Sequence, residues 1–408
     1  MSRPSALGAV NYATESTWGE DVTTFGTRLP VLGMVDASGL TQDMANPTRT
    51  VQYRNQVTPG IKSIMGGSFK LKFWLTGHGS TTAGAVTLNS LETLLGLVLG
   101  NAAASSSSGT TAAAGSTATV INTASSGTYS AGAMVRIGSL GDGRGGGQFF
   151  PIATHALTVM TSLVAAAAAP NAADVIYNPV NVYPSELPTS NTITGMRFLL
   201  QTANLEFECH GCYATAIAIS GLNTGELPSI EITFSVSWWR FSTATFPSAN
   251  SVTAFAPAPV AAGSMFLNTV GTSTRATRNV RDFSMTYNLG IAPQTGPGGA
   301  NAYQSIVGCY RTPDTLSVTW MEDSEAATAS PVLAGYWDGT GTYHLCYSFS
   351  AADGSAMGVY FPYLTPDGSR PTQANRNGIN AVKLQLTGGT GGTTTTDLTA
   401  SAMRLAFA

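Results

Sequence analysis

The chain has 408 residues, enough for two or three domains that each bury a core of their own. Charged residues make up only 10% of it, against roughly 25% in an average soluble protein, so Ser, Thr, Gly, Asn and Ala must cover much of the surface, as where subunits pack together. With a net charge of −3 and 19 Lys and Arg, the chain has no basic patch to grip phosphates, and tight DNA binding is not expected.

Residues Met1 to Asp21 contain no apolar h-region, and no stretch reaches the roughly 18 apolar residues of a membrane span, so folding in a cytoplasm is expected. Along the chain, period-2 alternation dominates. Phe69, Leu71, Phe73 and Leu75 share one face of a predicted strand whose other face carries Ser68, Lys70, Lys72 and Trp74. A single helix follows: Asn89 caps it, Glu92 completes a capping box, Leu91, Leu94, Leu95, Val98 and Leu99 form its apolar stripe, and Gly100-Asn101 ends it. Residues 101–131 read as a flexible Ala/Ser/Thr/Gly connector. Short apolar runs through Met134, Ile137, Phe149, Ile152, Val159, Val164 and Ile176 then predict a small β-barrel inserted at 118–184, facing outward and separable from the rest.

Leu205, Phe207 and Cys209 resume the alternation, and Ala214 to Ile219 pair with the run Ile230 to Trp238 across the Gly221 to Pro228 turn. A charge-poor stretch at 246–272 reads as a linker. Beyond it the pattern returns at Phe283 to Leu289, Tyr343 to Phe349, Val382 to Leu386 and Met403 to Phe407. Two phrases occur once in each half, Gly211-Cys212-Tyr213 with Gly308-Cys309-Tyr310, and Ser235 to Trp238 with Ser317 to Trp320, which predicts a duplicated β-domain. The expected organisation is a first β-domain at 1–117 and 185–245, the inserted barrel at 118–184, the linker, and a second β-domain at 273–408.

Chemistry-bearing motifs are few. Cys209-His210-Gly211-Cys212 is a lone C-x-x-C whose further ligands are missing, since His78, His155 and His344 are scattered, so the four cysteines, Cys309 and Cys346 included, read as buried thiols. The glycines of Gly141 to Gly146 precede the strand-like Gln148-Phe149-Phe150 and not a helix, and therefore read as a hairpin tip and not a nucleotide site. Glu206 and Glu208 share one strand face, where acid/base chemistry is conceivable and a solvated edge is the plainer reading. No catalytic residue, metal site or cofactor is expected.

Several segments together resemble the major tail tube proteins of long-tailed bacteriophages: the opening Ala13 to Gly19, the strand Gly67 to Leu75 with the Leu-rich helix after it, Leu205 to Trp239 with the turn Gly225-Glu226-Leu227-Pro228, and Arg376 to Phe407. The resemblance covers most of the chain in outline and implies tandem tube-like β-sandwich or barrel domains with a flanking helix, stacked as rings around a DNA channel. It further implies a virion tail protein that assembles in the host cytoplasm with other tail proteins and passes viral DNA without binding it specifically. By the same resemblance Val31 to Gly66 corresponds to a loop reaching the adjacent ring, with Asp36, Asp43, Arg49, Arg54 and Lys62 as inter-ring contacts. Two tube-like domains per chain imply three chains per ring. A phage or cell-surface adhesin shares this Thr/Gly-rich β composition and is the competing reading; a glycosidase is the other.

Overall fold

A computed structural model describes residues 9–33, 35–45, 48–51, 54–57, 61–77, 88–104, 109–126, 129–137, 148–166, 168–185, 193–202, 205–221, 226–242, 264–271, 280–296, 304, 306–323, 335–336, 338–350, 356–376, 379–389 and 401–408. Among these residues the protein is mainly β with one long helix. Its first half begins with β1 (Ala9–Thr14) and β2 (Thr27–Leu29), then a hairpin of β3 (Leu40–Ala45) with β6 (Ile61–Trp74) that carries the smaller hairpin β4 (Thr48–Val51) and β5 (Arg54–Val57) at its end. The segment 31–66, expected as a loop, is thus largely a paired arm. On β6 the alternation is realised as predicted, with Phe69, Leu71 and Phe73 buried and Lys70 and Lys72 exposed.

Helix α1 (Ser90–Leu99) has the caps its sequence predicts. Asn89 Oδ1 accepts the Glu92 N–H at 2.9 Å, the Glu92 carboxylate accepts the Asn89 N–H at 3.1 Å, and Gly100 takes the left-handed conformation that ends the helix. Its buried stripe packs on β2, β7 (Gly100–Ala104) and β14 (Val180–Pro184). The Ala/Ser/Thr tract after it is no plain connector. Small side chains let it form β7, and it then supplies β8 (Thr110–Thr111) and β9 (Val120–Asn122) of a second sheet. With β10 (Met134–Ile137), β11 (Gln148–Ala156), β12 (Val159–Ser162) and β13 (Val175–Tyr177), these give the order β8-β13-β10-β11-β12-β9, and the bridge Ala112↔Thr123 brings the two edges together. This small barrel has its own core of Ile121, Val135, Ile137, Phe150, Ile152, Met160 and Ile176. It starts near Thr110, before the expected 118, and ends before β14, which belongs to the main sheet.

The first half closes with β15 (Met196–Thr202), β16 (Leu205–Ser220), β17 (Ser229–Val236) and β18 (Trp238–Phe241). The second half comprises β19 (Ser264–Thr269), β20 (Val280–Asn288), β21 (Ile291–Thr295), β22 (Ile306–Arg311), β23 (Thr315–Asp323), β24 (Tyr343–Ser350), β25 (Ala356–Pro366), β26 (Thr372–Arg376), β27 (Ile379–Gly388) and β28 (Arg404–Phe407). The segment expected to be a linker therefore contains a strand, β19; residues 246–263 lie outside the described residues.

The two halves repeat one pairing scheme. The first pairs β1–β15, β3–β6, β6–β17, β15–β16, β16–β17 and β16–β18. The second pairs β19–β24, β20–β23, β23–β27, β24–β25, β25–β27 and β25–β28, with the strands in the same chain order and every pairing antiparallel. The repeated phrases are not its trace: the first Gly-Cys-Tyr lies in β16 and the second in β22, while the Ser-Val-Ser-Trp phrase spans β17 and β18 and its partner lies in β23. In each half one strand serves both layers. The N-terminal part of β16 pairs with β15 and β18, its C-terminal part with β17, and Gly211 at φ 57° makes the bulge between them. A Cβ there would stand 2.5 Å from Ser237 Oγ.

The halves are not separate domains. β16 pairs with β20 from Ala216↔Asn288 to Ile219↔Met285, so one sheet runs β3-β6-β17-β16-β20-β23-β27-β25 across the chain. On the other layer β28 lies between β25 and β14, joining second half to first. One core follows, in which Phe69, Phe198 and Phe234 are continuous with Phe283, Trp320 and Leu384.

Candidate functional site

The long sheet buries one face and leaves the other open. Across one register row the open face presents Lys72, Glu231, Ala218, Thr286, Ser317 and Thr387, and across another Lys70, Thr233, Ala216, Asn288 and Thr315, each exposed or half-buried. Hydroxyls, amides and methyl groups predominate. Lys70 Nζ sits 2.9 Å from Glu231 Oε1, which raises the lysine pKa and leaves that pair neutral toward the solvent. A polyanion beside such a face meets hydrogen-bonding groups with little fixed positive charge to hold it.

Both ends of this sheet are open among the described residues. β3 pairs with β6 alone, and the opposite end, formed by Thr365–Pro366 of β25 and by β26, pairs with β27 alone, while Leu364 beside it also meets Tyr343 of β24. These ends correspond to each other through the repeat. The stretch leading into β3, bridged at Asp36↔Lys70, holds with Leu40 the place in the first half that β20 holds in the second, and the Thr365–Pro366 end holds the place of the β16 segment to which β20 is joined.

Of the expected inter-ring residues, Asp36 lies in the turn before β3, where its Oδ1 accepts the Ser38 hydroxyl at 2.6 Å and the Ser38 N–H at 3.0 Å; these bonds, the hydroxyl first, lower its pKa. Asp43 falls at a bulge of β3, Arg49 in β4, Arg54 in β5 and Lys62 in β6; their side chains lie outside the described residues. The backbone gathers Asp43, Arg49, Arg54 and Lys62 on one arm, with Asp36 bridging Lys70 at its base.

The paired glutamates are split by their surroundings. Glu208 is fully buried and accepts from Arg240 Nε at 2.5 Å and Ser242 Oγ at 2.9 Å, while Arg240 also meets Asp21 at 2.8 Å; Glu206 is more open and accepts from Gln201 Nε2 at 3.1 Å. A carboxylate already neutralised by a guanidinium is a structural ion pair. Cys209 and Cys212 both face the main core, because the Gly211 bulge shifts the alternation between them, and burial pushes both thiols up. His210 points the other way and stacks on Trp238 with ring centroids 4.2 Å apart.

Sequence reasoning missed Glu15. Its buried carboxylate accepts the Gly19 N–H at 2.8 Å and the Gly211 N–H at 2.7 Å, tying the 15–20 turn to the bulge of β16, and burial raises its pKa to about 7. Nothing local marks a lone Glu in a polar turn as buried. Because the folded state holds this proton more tightly than the unfolded chain, the stability Glu15 contributes is full below pH 4.5 and is lost as pH rises to about 7, after which it is flat. Urea unfolding at pH 5 and pH 8 is expected to differ by about 3 kcal/mol from this group, and the difference should shrink in Glu15→Gln. An unchanged slope in that variant would assign the dependence elsewhere.

No protein-family model matches the chain, and no curated protein matches it by sequence.

Proposed function

We propose that this protein is a structural subunit of a bacteriophage tail tube, three copies of which close into a ring, with rings stacked around a channel that passes viral DNA. The observation that carries this reading is the repeated pairing scheme, joined edge to edge inside the chain and ending in two edges that match the same junction. A head-to-tail junction of this kind propagates until it closes. Four strands from each half give eight per chain, so three copies make a 24-stranded barrel of roughly 48 Å backbone diameter at about 4.8 Å spacing and about 40° tilt. Two copies give roughly 32 Å, and side chains projecting inward from both walls then crowd a duplex.

The open hydroxyl-rich face would line the channel, where low charge lets DNA slide. The arm carrying Asp36, Asp43, Arg49, Arg54 and Lys62 would reach the adjacent ring. The subunit has no catalytic role in this reading; its partners are its own copies and other tail proteins, and it joins the virion tail after assembly in the host cytoplasm. Negative-stain microscopy of the purified chain is expected to display rings or tubes, and light scattering of isolated rings should give three copies of the 42.0 kDa chain. Six copies per ring would sink the equivalence of each half with one ring unit; a chain that stays monomeric at every concentration would sink the tube itself.

A further inference from the structure

The repeat leaves an apolar patch bare in the first half that is covered in the second. β18 and β28 occupy the same place in the scheme, each lying against the N-terminal part of the strand that serves both layers, with Phe241 opposite Phe207 and Phe407 opposite Met357. The far edge of β28 pairs with β14, Val180 against Phe407 and Val182 against Leu405, and Phe407 is 0% exposed. The far edge of β18 carries no strand among the described residues, and Phe241 is 59% exposed. Leu205, two residues before Phe207 on the same face of β16, is 50% exposed.

This patch is continuous with the core. Phe241 lies 5.5 Å from the Phe207 ring and 5.7 Å from the Trp239 ring, and both of those belong to the main cluster. β18 also lacks the devices that keep an edge single. Its sequence Trp-Trp-Arg-Phe has no Pro or Lys, and its one charge, on Arg240, is engaged by Glu208 and Asp21. An open edge with an aromatic face is an interaction surface.

We infer that the edge of β18 and the Leu205–Phe241 patch are covered by the second half of a neighbouring copy, as β14 of the first half covers β28. The inference rests on the ring reading above: β14 has no counterpart among the described strands of the second half, so the symmetry carries over the half that covers and not the strand. Across the β16–β20 junction the first half covers the strand of the half that follows it. One half-step further round the ring, the covering half is the second of one copy, and the strand it meets is β18 of the next. Each junction would then be sealed on both layers, the long sheet within and β18 without.

The test uses the full chain carrying Phe241→Asp and Leu205→Ser. Both positions are exposed, so circular dichroism and the melting temperature should stay near wild type, while the concentration for half-assembly should rise at least about tenfold. Half-assembly at the wild-type concentration would overturn the inference and leave the ring reading standing. A wild-type chain that never assembles would overturn both. A second variant, Phe241→Cys, places a thiol where the four native cysteines are all buried. Its alkylation should be fast in the monomer and at least about tenfold slower in rings if β18 is covered; equal rates in the two states would overturn the inference even if the double variant proved unable to fold.

Discussion

A chain ending at Ala400, without residues 401–408, is expected not to fold. All eight of these residues are buried, and Met403, Leu405 and Phe407 are 0% exposed in the main core. Burial of each large apolar side chain stabilises by about 1.5–3 kcal/mol, against a total stability of about 5–15 kcal/mol for a domain. The strand also supplies the pairings that join the layers: without it β14 and β25 face each other across a gap, and Ala356, which exchanges two backbone hydrogen bonds of 2.9 Å with Ala408, is left open. Arg404 inside the strand is buried with its guanidinium 5.2 Å from the Tyr360 ring and its Nε 3.2 Å from Ser401 Oγ. Burial lowers its pKa to about 10, so it stays charged near neutrality. The truncated chain should show no cooperative urea transition, and Phe407→Ala alone should lose about 3–5 kcal/mol. A truncated chain that melts like wild type would show that the layers hold together without β28.

Excising the inserted barrel is expected to destabilise the second half, although the barrel was expected to be a separable module. Met134, Phe149 and Val164 of the barrel pack on Cys346, Ala356, Tyr360, Ala406 and Ala408. The Phe149 N–H donates to Ser348 Oγ at 3.3 Å, and Asn181 both accepts the Met134 N–H at 2.8 Å and donates to its carbonyl at 3.3 Å. Gly358 completes this surface, since a Cβ there would lie 2.7 Å from Phe149 Cγ and 2.8 Å from Met134 Cε. Removing residues 109–178 should lose about 3–5 kcal/mol, the scale of deleting one large buried side chain, and should leave the second half prone to aggregate. Gly358→Leu, which keeps every strand, should lose about 1–3 kcal/mol by forcing Phe149 aside. Differential scanning calorimetry separates the cases, and an excised chain that keeps the wild-type melting temperature would restore the separable module.

The same elements mark what could be read in advance. Helix α1 was legible to the residue because capping boxes, apolar stripes and terminal glycines act within one turn. β6, β17, β20 and β27 were legible because alternation assigns each side chain a face. The repeat was expected from phrases that do not carry it, and its signature is the order of strand pairing, which requires no identical residues. Glu206 and Glu208 share one strand face in the sequence, yet only the packing of Arg240 separates a buried ion pair from a more open carboxylate. Glu15 and Phe241 carry no local signal, one being buried by distant chain and the other left bare.

By itself the sequence determined that the protein is mainly β, where the long helix of the described residues begins and ends, which face of each strand is apolar, and that the chain is poor in charge. The tertiary structure decided which strands lie side by side: β16 against β20, β28 between β14 and β25, the barrel against β25, and β3 and β26 each paired on one side only among the described residues. Period-2 patterning fixes the side of a strand that must be buried but is silent about the neighbour, because the hydrogen bonds along a strand edge come from a backbone that every residue shares. Those edges, and not any side-chain motif, are what the ring reading rests on.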